Sequence, residues 1–196
     1  MRDLLVLTIF VLVLVACREP EQEPVGGSTK SATVALPRLE HLQELPDSSR
    51  EEYLYDWLFD RIYLEDSVFE HDREIVLRLP AGYLDLYATR SVEDALEEGG
   101  IAQLMGGVRR RMVPDAIRAY RRFGALGHAH LLASALRLGP RFRKEAVQFE
   151  DDADLEDVPR SQLADSLDRR FARLREDVPN LRSIWIAHHL RRFVVR

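Results

Sequence analysis

The chain has 196 residues, of which 46% are hydrophobic and 31% charged, with a formal net charge of −5. These are ordinary globular values and set aside a wholly disordered chain. Cys17 is the only cysteine, which excludes an internal disulfide and leaves burial as the source of stability.

In chain order, residues 1–16 come first. Arg2 precedes an apolar run from Leu4 to Ala16, broken only by Thr8. A charged start, an apolar core and a small residue before a cut predict a secretory signal peptide. The run falls short of the roughly 20 apolar residues that a membrane-spanning helix needs. Residues 17–45 read as a tether, because 18–38 carry three prolines with glycines and small polar residues and show no periodic apolar face.

A helical domain is expected over 46–196. Tyr53, Leu54, Trp57, Leu58, Ile62 and Tyr63 recur at i, i+3, i+4, the rhythm of a helix with one buried face. Ser48 or Ser49 would cap it, with Glu51 and Glu52 in its first turn. A second helix is expected over 67–79. A third would open at Pro80, which suits a first helical turn, and run to about Glu97. Pro114 and Asp115 open another that ends at Gly124. Residues 126–139 predict a buried helix stopped by Gly139 and Pro140. EDDADLEDVPR, residues 150–160, reads as an acidic loop, and 162–177 and 180–193 supply two more helices. No stretch alternates with period two. The expectation is an all-α, compact domain of about seven or eight helices.

LEEGGIAQLMGGVRRR, residues 96–111, is the most unusual stretch. It is no phosphate loop: no strand precedes it, no lysine follows, and the glycine spacing is wrong for a dinucleotide fingerprint. It also lacks a nucleophile. What remains is backbone geometry, with Gly99 and Gly100 closing a helix in a conformation that only glycine takes freely. Gln103 offers amide donors and an acceptor for backbone groups orphaned at the break.

Charge is uneven. Residues 40–100 hold 17 acids against 5 bases, and residues 101–145 hold 2 acids against 10 bases. Either the two segments neutralise each other, or one face is basic and docks an anionic partner. The arginines concerned are Arg109, Arg110, Arg111, Arg118, Arg121 and Arg122, the last three on one helix face. Glu97 and Glu98 at a helix carboxyl end oppose the dipole, and pairing with Arg109–Arg111 would resolve that. His128 and His130 are two apart and form a poor metal pair on a helix. His188 and His189 would need the fold to bring Asp168 or Asp177 to them. No metal, cofactor or catalytic set is expected. Trp57 and Trp185 read as core or interface anchors.

Two resemblances add to this. Leu14-Val15-Ala16-Cys17 resembles the lipobox of bacterial lipoproteins. That implies cleavage before Cys17, diacylglycerol on its sulfur and a further acyl chain, palmitate for example, on the new amino terminus. Several chains together hold a protein stably on a bilayer. Arg18 in place of an aspartate leans towards the outer membrane. The second resemblance rests on Gly99, Gly100 and Gln103, on AIRAYRRFGALGHAHLLASAL with Gly124 and Ala125, and on Leu167-Asp168-Arg169-Arg170-Phe171 with IWIAHHLRRF near the end. These segments resemble the DNA-mimic-protein-type helical family over roughly 75–193. The family's asparagine is Glu98 here, its aromatic pair is Leu104-Met105, and its second asparagine is Gly107. The resemblance implies a helical fold and a homodimer. One member of that family mimics DNA towards a transcription factor. The six arginines argue against that role here, so no nucleic-acid partner is expected.

The functional expectation is a lipid-anchored protein of a bacterial envelope, facing the periplasm, whose domain binds a protein or itself. The alternatives are an enzyme whose acids and histidines converge only in three dimensions and, more weakly, attachment to an anionic lipid or polymer through the arginine face.

Overall fold

A computed structural model describes residues 35–66, 70–147 and 162–195. The expected signal peptide, Cys17, most of the tether and the acidic loop 150–160 lie outside the described residues. Among the described residues there are eight α-helices and no strand, so the domain is all-α. The helices are α1 (Leu39–Glu44), α2 (Asp47–Glu65), α3 (Asp72–Leu77), α4 (Ala81–Gly106), α5 (Val113–Phe123), α6 (Leu126–Val147), α7 (Gln162–Phe171) and α8 (Val178–His188). Two short 3-10 turns, Val108–Met112 and Leu190–Arg192, follow α4 and α8.

The central element is α4, which packs against α2, α3, α5, α6 and α7, while α8 lies against α2 and α5. One apolar cluster joins them, with Leu54, Leu58 and Ile62 from α2, Tyr83, Leu86 and Val92 from α4, and Tyr120 and Phe123 from α5. The patterning of α5 shows why it sits there. Ala116, Ile117, Tyr120 and Phe123 are buried, while Arg118, Arg121 and Arg122 face outwards. Gly124 ends α5 at φ 88°, and Ala125 N donates to the Tyr120 carbonyl at 2.9 Å, the left-handed termination that favours glycine. Trp57 and Trp185 are both core residues, each 8% exposed.

Several expected boundaries move. The tether ends earlier than residue 45, because 39–44 is helical and Leu42 is fully buried. Leu36, Leu39 and Leu45 pack on the same core. The first long helix starts at Asp47 after Pro46, ahead of either serine. The second helix covers only Asp72–Leu77. Gly139 and Pro140 do not stop α6, which runs on to Val147. A proline removes a single backbone bond, and Leu131, Leu132 and Ala135 anchor this helix in the core. The last expected helix begins earlier, at Val178, where Asp177 caps it by accepting from Asn180 N at 3.1 Å.

Candidate functional site

The glycine motif is a bend inside α4. Gly100 has φ 73° and ψ −163°, while the residues on either side are helical. This lies in the mirror-extended region, which is essentially closed to residues with a Cβ. It is neither the left-handed helical conformation expected nor shared with Gly99, since Gly100 and Gly124 are the only positive-φ glycines among the described residues. The helix is therefore broken and resumed, not closed.

Restarting a helix leaves its first N–H groups without intrahelical acceptors. Asp168 on α7 supplies one, its Oδ1 accepting from Ile101 N at 2.8 Å. Gln103 does not take the role foreseen for it, because its Nε2 donates to Glu98 Oε2 at 3.1 Å. Asp168 stands in the quoted Leu-Asp-x-x-Phe segment, yet nothing local in the sequence couples position 168 to 101. Asp168→Ala is expected to cost about 1 kcal/mol, the usual loss of a helix cap. Asp168→Asn, which keeps an acceptor, is expected to cost less. Thermal melts of the two variants check the order.

The arginines singled out from the sequence do not assemble into one free basic face. Arg109 pairs with Glu98 at 3.0 Å. Arg111 pairs with Asp72 and donates to the Glu70 carbonyl at 2.7 Å. Arg118 pairs with buried Asp115, which Arg73 also reaches at 3.0 Å. Arg122 pairs with buried Asp85, joined by Arg192 at 3.4 Å. Arg110 lies against the backbone of Gly139, and Arg121 is exposed. Three of these pairs, Arg109–Glu98, Arg111–Asp72 and Arg122–Asp85, join the acidic segment 40–100 to the basic segment after it. Burial pushes the Asp85 carboxyl up, and the three arginines around it oppose that.

The strongest polar feature is one that sequence reading missed. Arg182 on α8 is fully buried. Its Nε donates to Glu51 Oε1 at 2.7 Å and its Nη1 to Glu93 Oε1 at 2.7 Å. Tyr120 donates to the same Glu93 oxygen at 3.1 Å, and Ser183 donates to Glu51 Oε2 at 3.1 Å. Burial alone pulls the guanidinium down, but Glu93 and Glu51 outweigh it and hold Arg182 above its ordinary value. The available signal was a single arginine inside the apolar run Leu181–Ile186.

A cleft of about 300 Å³ opens between α2 and α4. Tyr55 and Phe59 come from α2, Asp72 from α3, Tyr87, Ser91 and Asp94 from α4, and Val108 and Arg109 from the turn after the bend. Tyr87 Oη donates to Asp72 Oδ2 at 2.6 Å, and burial together with that bond pushes the phenol well up. Arg90 lies 4.7 Å over the Tyr55 ring. Asp94 is half-buried on the wall of this cleft. Burial raises its carboxyl above the usual range, Arg109 and Arg90 oppose this, and Glu97 and Glu98 add to it.

The histidines go to separate places. His128 Nδ1 sits 2.7 Å from Glu176 Oε2, and Glu176 also accepts from Gly127 N and His128 N at the start of α6. Burial opposes ionisation of Glu176, but these bonds outweigh it and hold its carboxyl below the ordinary value. His130 is exposed, His188 ends α8, and His189 stacks on Trp185 at 4.7 Å. Asp168 and Asp177 are each engaged with backbone N–H groups elsewhere. No group of three or more histidine, cysteine or acidic side chains among the described residues could hold a metal ion.

A family model described as DMP19-like protein matches residues 77–189, more than half of the chain. It spans α4 to α8 with the bend and Asp168, and includes Glu93 and Arg182. No curated protein and no solved structure matches the chain.

Proposed function

The chain belongs to the DMP19-like protein family, and on that premise we propose that it is a lipid-anchored bacterial envelope protein whose helical domain binds another protein or a second copy of itself. The observation that carries the anchor is Leu14-Val15-Ala16-Cys17, which closes the apolar run and holds the chain's sole cysteine. Arg18 favours the outer membrane over the inner. The tether then places the domain at the periplasmic face. Apolar side chains at the domain surface support the binding half. Phe59, Tyr63 and Leu64 on α2 are 45%, 56% and 57% exposed, and Val108 is 78% exposed. Exposed apolar groups gathered on one element mark interaction surfaces. The reading leaves out nucleic-acid mimicry. Asp72, Asp85, Asp115 and Glu98 each carry an arginine partner, which breaks up any phosphate-like array of free carboxylates.

Cys17→Ser is expected to release the protein from the membrane fraction or leave it as a longer precursor, read by fractionation and immunoblotting. Unchanged retention and processing would count against the anchor. For the binding half, a photo-cross-linking residue at Phe59 or Val108 in the intact envelope should give one discrete adduct. The absence of any adduct from both positions would remove that half.

A further inference from the structure

We propose that one copy of this chain docks on another head to tail, the exposed face of α2 seating in the groove between α6 and α7. This deepens the binding half of the reading above, rests on it, and names the partner as a second copy.

The face of α2 is the first half of the contact. Glu52, Asp56, Phe59, Asp60 and Tyr63 recur three and four apart, which sets them on one side of the helix. All five are exposed. Phe59 and Tyr63 form an aromatic ridge, 45% and 56% exposed, with the acids beside it. None of the three acids enters an ion pair with a described residue.

The groove offers the converse. It holds about 260 Å³ and is lined by Leu131 and Leu174 together with Arg170, Arg173 and His130. The two leucines lie inward, and the three basic side chains are exposed around them. Leu126, 62% exposed, stands one turn before His130 on α6. Arg170 and Arg173 enter no ion pair with a described residue, unlike Arg109, Arg111, Arg118 and Arg122. The acid beside the groove, Glu176, is held by Gly127 N, His128 N and the His128 ring.

Ridge and groove match in shape and in charge. A helix laid in an apolar groove is a recurrent mode of recognition. Rings meet leucines, and carboxylates meet guanidiniums. Exposed ion pairs contribute little by themselves, so the rings supply the contact and the charges select the partner and its register. An arginine over a tyrosine or phenylalanine face adds attraction. Within one chain the two surfaces do not meet, because α2 packs on α3, α4 and α8, and α7 on α4 and α6. Each copy therefore carries one ridge and one groove, and the contact can repeat into a ring or a chain.

The test uses two full-length copies with different epitope tags, expressed together and solubilised in non-ionic detergent. One tag is captured and the other blotted. Wild-type copies are expected to capture each other. Asp56→Arg with Asp60→Arg in both copies, or Arg170→Asp with Arg173→Asp in both, should lower capture by about tenfold or more, because like charges then face each other. One copy with the first pair and one with the second should restore it, since each keeps the surface the other has lost. Association through shared micelles or another face would not follow that pattern. All four positions are exposed, so each variant should melt with wild type and its lost capture is not unfolding. Equal capture in every combination, or a mixed pair no better than the matched ones, would overturn the proposal. A photo-cross-linker at Phe59 separates it from the reading it rests on. An adduct mapping to residues 126–131 or 170–174 of a second copy is expected. An adduct with a different protein overturns docking between copies and leaves the binding half standing, whereas no adduct at Phe59 or Val108 removes both.

Discussion

Arg182→Ala is expected to cost about 3–5 kcal/mol, the range for removing one member of a buried ion pair. That is a large share of the roughly 5–15 kcal/mol by which a domain is stable. At about 2–4 °C per kcal/mol for a domain of this size, melting should fall by roughly 6–20 °C. The cost does not come from a lost attraction alone. Glu51 and Glu93 would remain, Glu51 8% exposed, with no cation of the same reach between them. The second cation near Glu51 is Arg90, 3.7 Å away and turned onto Tyr55. Arg182→Lys keeps the charge but loses the planar fork that contacts two carboxylates at once, and should fall between wild type and alanine. Arg182→Met combined with Glu51→Met and Glu93→Leu should recover most of the loss, because replacing a whole buried ionic group by apolar volume is often neutral or stabilising. Equal destabilisation of the single and triple variants would show that packing, not charge, sets the cost. A single variant melting within 2 °C of wild type would refute the network's role.

What could be read in advance follows the range of the interactions. Helix existence was legible because α2 and α5 bury one face, and i, i+3, i+4 spacing records that directly. The bend at Gly100 was legible because a Gly-Gly pair inside an apolar helical stretch has few other uses. The boundary before α1 was missed although Leu36, Leu39, Leu42 and Leu45 lie three apart, since the prolines and small residues around them dominate the composition. Pro140 misleads as a local breaker, because the core contacts of Leu131, Leu132 and Ala135 hold the helix through it. The site was less legible still. Glu51 to Arg182 spans 131 positions and Asp168 to Ile101 spans 67, and nothing periodic links such pairs. The charge blocks before and after residue 100 did announce that acids and arginines would meet, but not which ones.

Glycine 100 carries the second large effect. Gly100→Ala is expected to cost about 2–4 kcal/mol, summing a backbone strain of about 1–3 kcal/mol with the loss of a cap worth about 1. Two separate facts lead there. The φ of 73° with ψ −163° is open to glycine and strained for any residue with a Cβ. A Cβ at this position would also lie 2.6 Å from Asp168 Oδ2, inside contact distance of the carboxylate that caps the resumed helix. The substitution therefore pushes away the group that holds Ile101. Neighbouring glycines serve as internal controls. Gly124→Ala meets open space at φ 88°, so it should show strain alone, about 1 kcal/mol. Gly99→Ala sits in helical backbone, but its Cβ would lie 1.9 Å from Gln103 Oε1 and 2.9 Å from Gln103 Cβ, so the Gln103 side chain must move away. The helix-propensity gain over glycine offsets that displacement, so the net loss should stay below that of Gly124→Ala. Urea unfolding of the three variants is expected to rank Gly100 worst, then Gly124, then Gly99. Combining Gly100→Ala with Asp168→Ala should cost less than the two single losses added, because the clash and the cap share one carboxylate. Strict additivity of the pair, or a Gly100→Ala midpoint equal to wild type, would mean that the bend does not depend on this residue.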